Sequence, residues 1–150
     1  MNRKWDIRFL QLAKHIAGWS KDPSTKVGCT VVDEQRHIVS TGFNGFARGI
    51  DDSDERLNNR DLKYKLVIHA EKNALIHAQR DLRGCALYIW PMPPCSQCAA
   101  AIIQSGITRI VSVRPGSDRL ERWGKDILLA DEMYEEAGIE LTLYGAGELE

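Results

Sequence analysis

Four side chains near the middle of the chain have types and spacing that can do chemistry: His69 with Glu71, and Cys95 with Cys98. Thiols at i and i+3 in the first turn of a helix share one face and can reach a single ion. The partial positive charge of a helix N-terminus lowers thiol pKa values and favours the thiolate form that binds zinc. His69 heads the preceding helical segment, and a βα crossover returns the chain so that both helix starts lie at one edge of a sheet. Three ligands then converge. A structural zinc site normally has four protein ligands, whereas a catalytic one keeps three and leaves the fourth position to water. Glu71 stands where it can take a proton from that water, whose pKa zinc lowers toward about 7. The competing readings are a redox CxxC pair or a chance spacing inside a core; His69, Glu71 and Pro94 in phase with the thiols weigh against both.

The remaining candidates read more plainly. Cys29 and Cys85 have apolar neighbours and read as small core residues, not as a fourth ligand. His77 lies two helical turns beyond His69 and reads as a packed or surface histidine, while His15 and His37 have no partner pattern. Trp90 is either a wall of a ligand pocket or core packing. Arg56, Arg60, Lys63 and Lys65 read as a solvated face, with a subunit contact or effector site as the alternative.

Helical spacing of Phe9, Leu10, Leu12, Ala13, Ile16 and Ala17 predicts an amphipathic helix over Trp5 to Trp19. Gly28 to Asp33 and Ile38 to Thr41 predict an antiparallel hairpin. Gly42 to Lys65 has no clean period and reads as a long functional loop or partial helix. Helices are expected at His69 to Arg80, Cys95 to Ser105 and about Ile127 to Ala137, with strands at Cys85 to Trp90, Arg109 to Val113 and Ile139 to Leu143. The order α-β-β-α-β-α-β-α-β argues for a mixed sheet, parallel in its later part, with helices on both faces.

The whole chain sets bounds on function. Its 150 residues suit one domain, and 43% hydrophobic with 27% charged residues suits a globular protein. The N-terminal stretch has neither a continuous apolar core nor a small-residue cleavage site, and no run is long enough to span a membrane. A cytoplasmic, reducing setting is expected, so four cysteines point to metal binding or burial and not to disulfides. A net charge of −1 with scattered cations excludes a broad nucleic-acid footprint but permits a small pocket for one phosphate.

His69-Ala70-Glu71 followed by Pro94-Cys95-Ser96-Gln97-Cys98 matches H-x-E…P-C-x-x-C, an established signature of zinc nucleobase deaminases. The segments SKDPSTKVG, STGFNG, YKLVIHAEKNAL and CSQCAAAIIQSGI resemble the deoxycytidylate deaminase family over residues 5 to 113. The resemblance implies a three-layer α/β/α cytidine-deaminase-like fold on a mixed five-stranded sheet. It implies that water on one catalytic zinc attacks C4 of cytosine while Glu71 takes its proton and then serves N3 and the departing amine. The product of dCMP would be dUMP, within pyrimidine deoxynucleotide metabolism. By the same likeness Asn44 meets the sugar, the Ala70 backbone the pyrimidine edge, Pro94 the base pocket, and the Ser20 to Lys26 loop the phosphate. Lys26 is the leading charged contact there, with Ser24 and Lys21 beside it. The family also implies a homo-oligomer, with hexamers and dCTP or dTTP effectors among its traits. Two departures stand out: the Ile89 to Pro94 connection is one residue longer and richer in proline, and Gly45 is followed by Phe46-Ala47-Arg48-Gly49. The first touches the base pocket, which keeps a free base, a nucleoside or an RNA base as alternative substrates. A non-catalytic zinc module is the alternative from another class.

Overall fold

The side chain of Asn2 accepts the backbone N–H of Lys4 at 3.0 Å and starts α1, Arg3–Ala17, ahead of the expected Trp5. The computed structural model describes residues 2–150. Phe9, Leu10, Ala13, Ile16 and Ala17 form the buried face of α1, as their spacing predicts. Asp6 lies on that same face, among the apolar side chains.

The expected hairpin is formed by β1, Gly28–Val32, and β2, Ile38–Phe43. The stretch Gly42 to Lys65, expected to be a long loop or partial helix, is not one loop; β2 runs on to Phe43 and short elements fill residues 44–69. These are β3 (Gly45–Phe46), α2 (Asp54–Asn58), α3 (Arg60–Leu66) and β4 (Val67–Ile68), with β3 and β4 paired antiparallel. Each helix here is too short to show a period, but each has its own cap: Ser53 accepts from Arg56 N and Asn59 from Leu62 N. Then follow α4 (Ala70–Ala78), β5 (Ala86–Trp90), α5 (Ser96–Gln104), β6 (Arg109–Val113), α6 (Ser117–Ala137) and β7 (Glu140–Tyr144). α6 stops at Gly138 in a left-handed conformation, but it starts at Ser117, well before the expected Ile127. Gly124 and the charged run around it hide the helical spacing of Leu120, Trp123 and Ile127.

The sheet order is β2-β1-β5-β6-β7, with β1 antiparallel to both neighbours and β5, β6 and β7 mutually parallel. Strand alternation divides the core between two faces. Cys29, Val31, Leu87, Ile89 and Ile110 point to the side covered by α4, α5 and α6. Val32, Tyr88, Val111 and Val113 point to α1 and a final 3₁₀ turn at Ala146–Leu149. The three-layer α/β/α arrangement and the mixed five-stranded sheet are therefore as expected. Cys29 and Cys85 are both buried core residues. Among the described residues, no helix is long and apolar enough to cross a membrane.

Asp6 joins α1 to three strands at once. Its carboxylate accepts both terminal nitrogens of Arg109 on β6 at 2.7 Å, the Tyr88 hydroxyl on β5 at 3.0 Å and the Tyr144 hydroxyl on β7 at 2.7 Å. Burial alone pushes this carboxyl up, but the Arg109 and tyrosine hydrogen bonds outweigh it and hold it below its ordinary 3.8. A group with a depressed folded pKa stabilises the fold above its unfolded pKa and loses that contribution as pH falls through the folded value. Asp6→Asn leaves Arg109 buried without its counter-charge and should cost about 3–5 kcal/mol at neutral pH. In urea melts, the gap between wild type and variant should narrow once pH falls below the ordinary 3.8.

Candidate active site

α4 and α5 both start at the edge of the sheet where β5 ends, and their N-cap residues are His69 and Cys95. The His69 Nδ1 atom lies 3.3 Å from Cys98 Sγ and 3.6 Å from Cys95 Sγ, and all three donor atoms fall within 4.8 Å of one another. A tetrahedral zinc ion, with Zn–S about 2.3 Å and Zn–N about 2.1 Å, spaces sulfur and nitrogen ligands about 3.6 Å apart. The donor set and its spacing therefore fit zinc. The Cys98 N–H lies 3.5 Å from Cys95 Sγ, so the first turn of α5 favours a thiolate there. Cys95 is pulled down to about 4, first by the Cys98 thiol beside it and then by His69, whereas that same thiol contact holds Cys98 up.

Glu71 sits in the first turn of α4, only 4% exposed, and its Oε2 has no hydrogen-bond partner among the described residues. Burial pushes its carboxyl above the ordinary 4.5, with Cys98 and His69 drawing it back part of the way. A buried carboxylate oxygen without a donor is costly, and where one persists beside a metal-ligating cluster a catalytic use is the natural account. The placement of Glu71 depends on a glycine. A Cβ on Gly42 of β2 would lie 2.3 Å from Ala70 O and 2.6 Å from Ala74 N, so α4 can rest on β2 only where that strand has no side chain. The Ser40 hydroxyl on the same strand donates to Ala74 O at 2.7 Å and fixes the contact.

His69, Ala70, Glu71 and Cys95 open onto a cavity of about 330 Å³. Asn44, Ser24 and Thr25 form part of its wall, and Met92, Pro93, Trp123 and Ile127 form another. Of the proposed substrate contacts, Asn44, Ser24 and Ala70 reach the cavity, while Lys26 and Lys21 do not. Lys26 is exposed, and Lys21 pairs with Asp52 at 3.0 Å. Pro94 is fully buried behind Pro93 and Met92, which form the wall in its place. The Asn44 amide is already engaged, accepting from Val27 N and donating to Thr25 O, each at 2.9 Å, and so holds the Ser20 to Lys26 loop against the cavity. Trp90 belongs to the opposite face of the sheet, packed against the α1 core.

The comparisons with known proteins agree with this geometry. A family profile described as the cytidine and deoxycytidylate deaminase zinc-binding region matches residues 3–114. The chain belongs to this family. An uncharacterized deaminase in the luxG 3′ region of Aliivibrio fischeri is 44% identical over 142 residues, which are 95% of each chain. The human deoxycytidylate deaminase is 37% identical over 116 residues, 72% of this chain; the alignment spans only 64% of that relative's length. Among solved structures, the dCMP deaminase of the cyanophage S-TIM5 in complex with dCMP and dUMP superposes with a TM-score of 0.76, covering 96% of this chain and 99% of that one at 22% identity. This last likeness shows the fold.

In this deaminase-family chain, several cavity residues escape the sequence reading. Lys63 is not on a solvated face: it is 6% exposed and donates to Asp22 Oδ1 at 3.1 Å and to Ser24 Oγ at 3.2 Å. The same Asp22 oxygen accepts the N–H groups of Ser24 and Thr25, so the pair braces the loop from inside. Arg60 and Arg122 also line the cavity, and among the described residues neither has a carboxylate within salt-bridge reach. Arg122 and Trp123 come from the early part of α6 that the sequence reading leaves out. The charges near Lys63 and the spacing of Leu120, Trp123 and Ile127 were the available signals. Gly42→Ala should destabilise the protein by about 1–3 kcal/mol through overpacking. It should also lower deaminase activity, since Ala70 and Ala74 must yield; urea melts and an ammonia-release assay read the two effects.

Proposed function

We propose that this protein hydrolyses the exocyclic C4–N bond of a cytosine nucleotide, converting dCMP and water to dUMP and ammonia. The observation that carries this reading is the buried Oε2 of Glu71, unpartnered among the described residues, beside a three-donor cluster of which His69 and Cys95 line a cavity. The names of its family relatives point to the same reaction. His69 Nδ1, Cys95 Sγ and Cys98 Sγ would hold zinc, which supplies a Lewis acid that makes water nucleophilic near neutral pH. Glu71 takes one proton from the attacking water and gives it to ring N3, then carries the second proton of that oxygen to the amine, which leaves as ammonia. The upward shift of its carboxyl suits a group that must both accept and release a proton. A purely structural metal module has no use for such a carboxylate in so dry a position.

The nucleotide part of the reading rests on the cavity wall. Met92, Pro93 and Trp123 offer apolar surface to a planar base, and the Ala70 backbone offers polar groups to its edge. Asn44 retains a free lone pair and one amide hydrogen for the sugar. The phosphate is assigned to Arg60 and Arg122, the cavity cations without carboxylate partners, in place of Lys26 and Lys21. Guanidinium groups pair with phosphate in a bidentate manner. A homo-oligomer belongs to the same proposal, on the family likeness alone.

Glu71→Gln should keep metal and fold but lower kcat by orders of magnitude, as read by ammonia release with metal content checked alongside. Activity close to wild type would refute the role of Glu71. Arg122→Ala should raise KM for dCMP far more than for deoxycytidine, whereas Lys26→Ala should leave both unchanged. The reverse pattern would return the phosphate to the Lys26 loop, and better turnover of a free base would overturn the nucleotide reading.

A further inference from the structure

The turn that carries Cys95 is gripped from outside by a side chain that the reaction itself does not use. Asp126, on α6, accepts the backbone N–H of Ser96 at Oδ2, 2.8 Å away, and the Ser96 hydroxyl at Oδ1, 2.6 Å away. Among the described residues, these are the side-chain hydrogen bonds that join α6 to α5. Ser96 is the first residue of α5 and directly follows the ligand Cys95, which is the N-cap. The next turn is fixed from the inside: Cys98 N points to Cys95 Sγ at 3.5 Å, and Ala99 N donates to Cys95 O at 2.8 Å. The Asp126 grip supplies the restraint that this inner turn lacks. With the Ser96 N–H and O–H both held, the peptide joining it to Cys95 is restrained, and with it the backbone that carries the thiol.

We propose that Asp126 is a positioning residue for the metal loop, holding Cys95 in ligating geometry through Ser96. The proposal rests on the zinc reading given above. Partners that orient a ligand from outside the coordination sphere set metal affinity, and losing one costs about 10- to 100-fold. Asp126 has a second consequence. It lines the cavity beside Arg122, Trp123 and Ile127, so the same carboxylate fixes how the α6 wall stands relative to Cys95.

The test is zinc retention by the zinc-loaded protein in competition with a chromophoric chelator. Asp126→Ala should weaken zinc affinity about 10- to 100-fold. Asp126→Asn, which keeps one carbonyl acceptor, should recover part of the loss. Ser96→Ala should weaken zinc binding less, since its N–H remains, and adding it to Asp126→Ala should bring no further loss because both act through one contact. Ala130→Gly is the control: it loosens α6 at a buried position without touching Ser96 and should retain wild-type affinity. If Asp126→Ala does not fold, Ser96→Ala with Ala130→Gly still decides. Wild-type affinity in Asp126→Ala, or an equal loss in Ala130→Gly, would overturn the proposal. A wild-type protein that binds no zinc would overturn the functional reading as well, and that outcome is distinct from failure of Asp126 alone.

Discussion

Three donor atoms from two helix starts must stand within 4.8 Å of one another, and much of the chain serves that requirement. A crossover from strand to helix to parallel strand returns the chain to the same sheet edge, which is how residues 26 positions apart, His69 and Cys95, meet. The helix starts contribute more than location. In the first turn of α5 the Cys98 N–H lies 3.5 Å from Cys95 Sγ, so this thiol sits where its ionised form is favoured. The bare backbone of Gly42 lets α4 come close to β2, and Asp126 anchors the first residue of α5.

Around that cluster the protein removes water selectively. Glu71 is buried with one oxygen unpaired, whereas Asp22 and Lys63, nearly as buried, satisfy each other and the loop between them. The contrast separates two uses of buried charge. A fully bonded pair costs little beyond desolvation and makes the wall rigid, while an unsatisfied carboxylate is tolerated where a substrate or water supplies the missing partner. On the far side of the sheet, Asp6 follows the first pattern, with Arg109, Tyr88 and Tyr144 using both of its oxygens. That network lies away from the cavity and ties α1 to the strands that carry the site.

Legibility in the sequence followed the length of the signal. β6 and the hairpin have strand patterns that stand alone, and the metal cluster announces itself because ligand chemistry restricts which residue types may occur at which spacing. α2 and α3 were hidden because a helix of one or two turns has no period to read, only a cap. The early part of α6 was hidden by charge and by Gly124. Lys26 is read as the phosphate contact from charge alone, and charge in a loop says nothing about which side of the loop faces a cavity; Lys26 does not line this one. Lys63, grouped with solvated cations, turned out to be inside because Asp22 reaches it across 41 positions of sequence.

The sequence by itself determined the fold class, the order of the main-sheet strands and the longer helices, and four residues whose types suit the chemistry, since local periodicity and ligand spacing are short-range properties. Tertiary structure alone decided what surrounds them. Which cations enter the cavity, which tryptophan lines it, and whether a buried carboxylate is bonded or left open depend on contacts between distant segments. Those contacts are set by how helices lie on the sheet, so Trp123 faces the cavity while Trp90, nearer in sequence to the cluster, belongs to the other face.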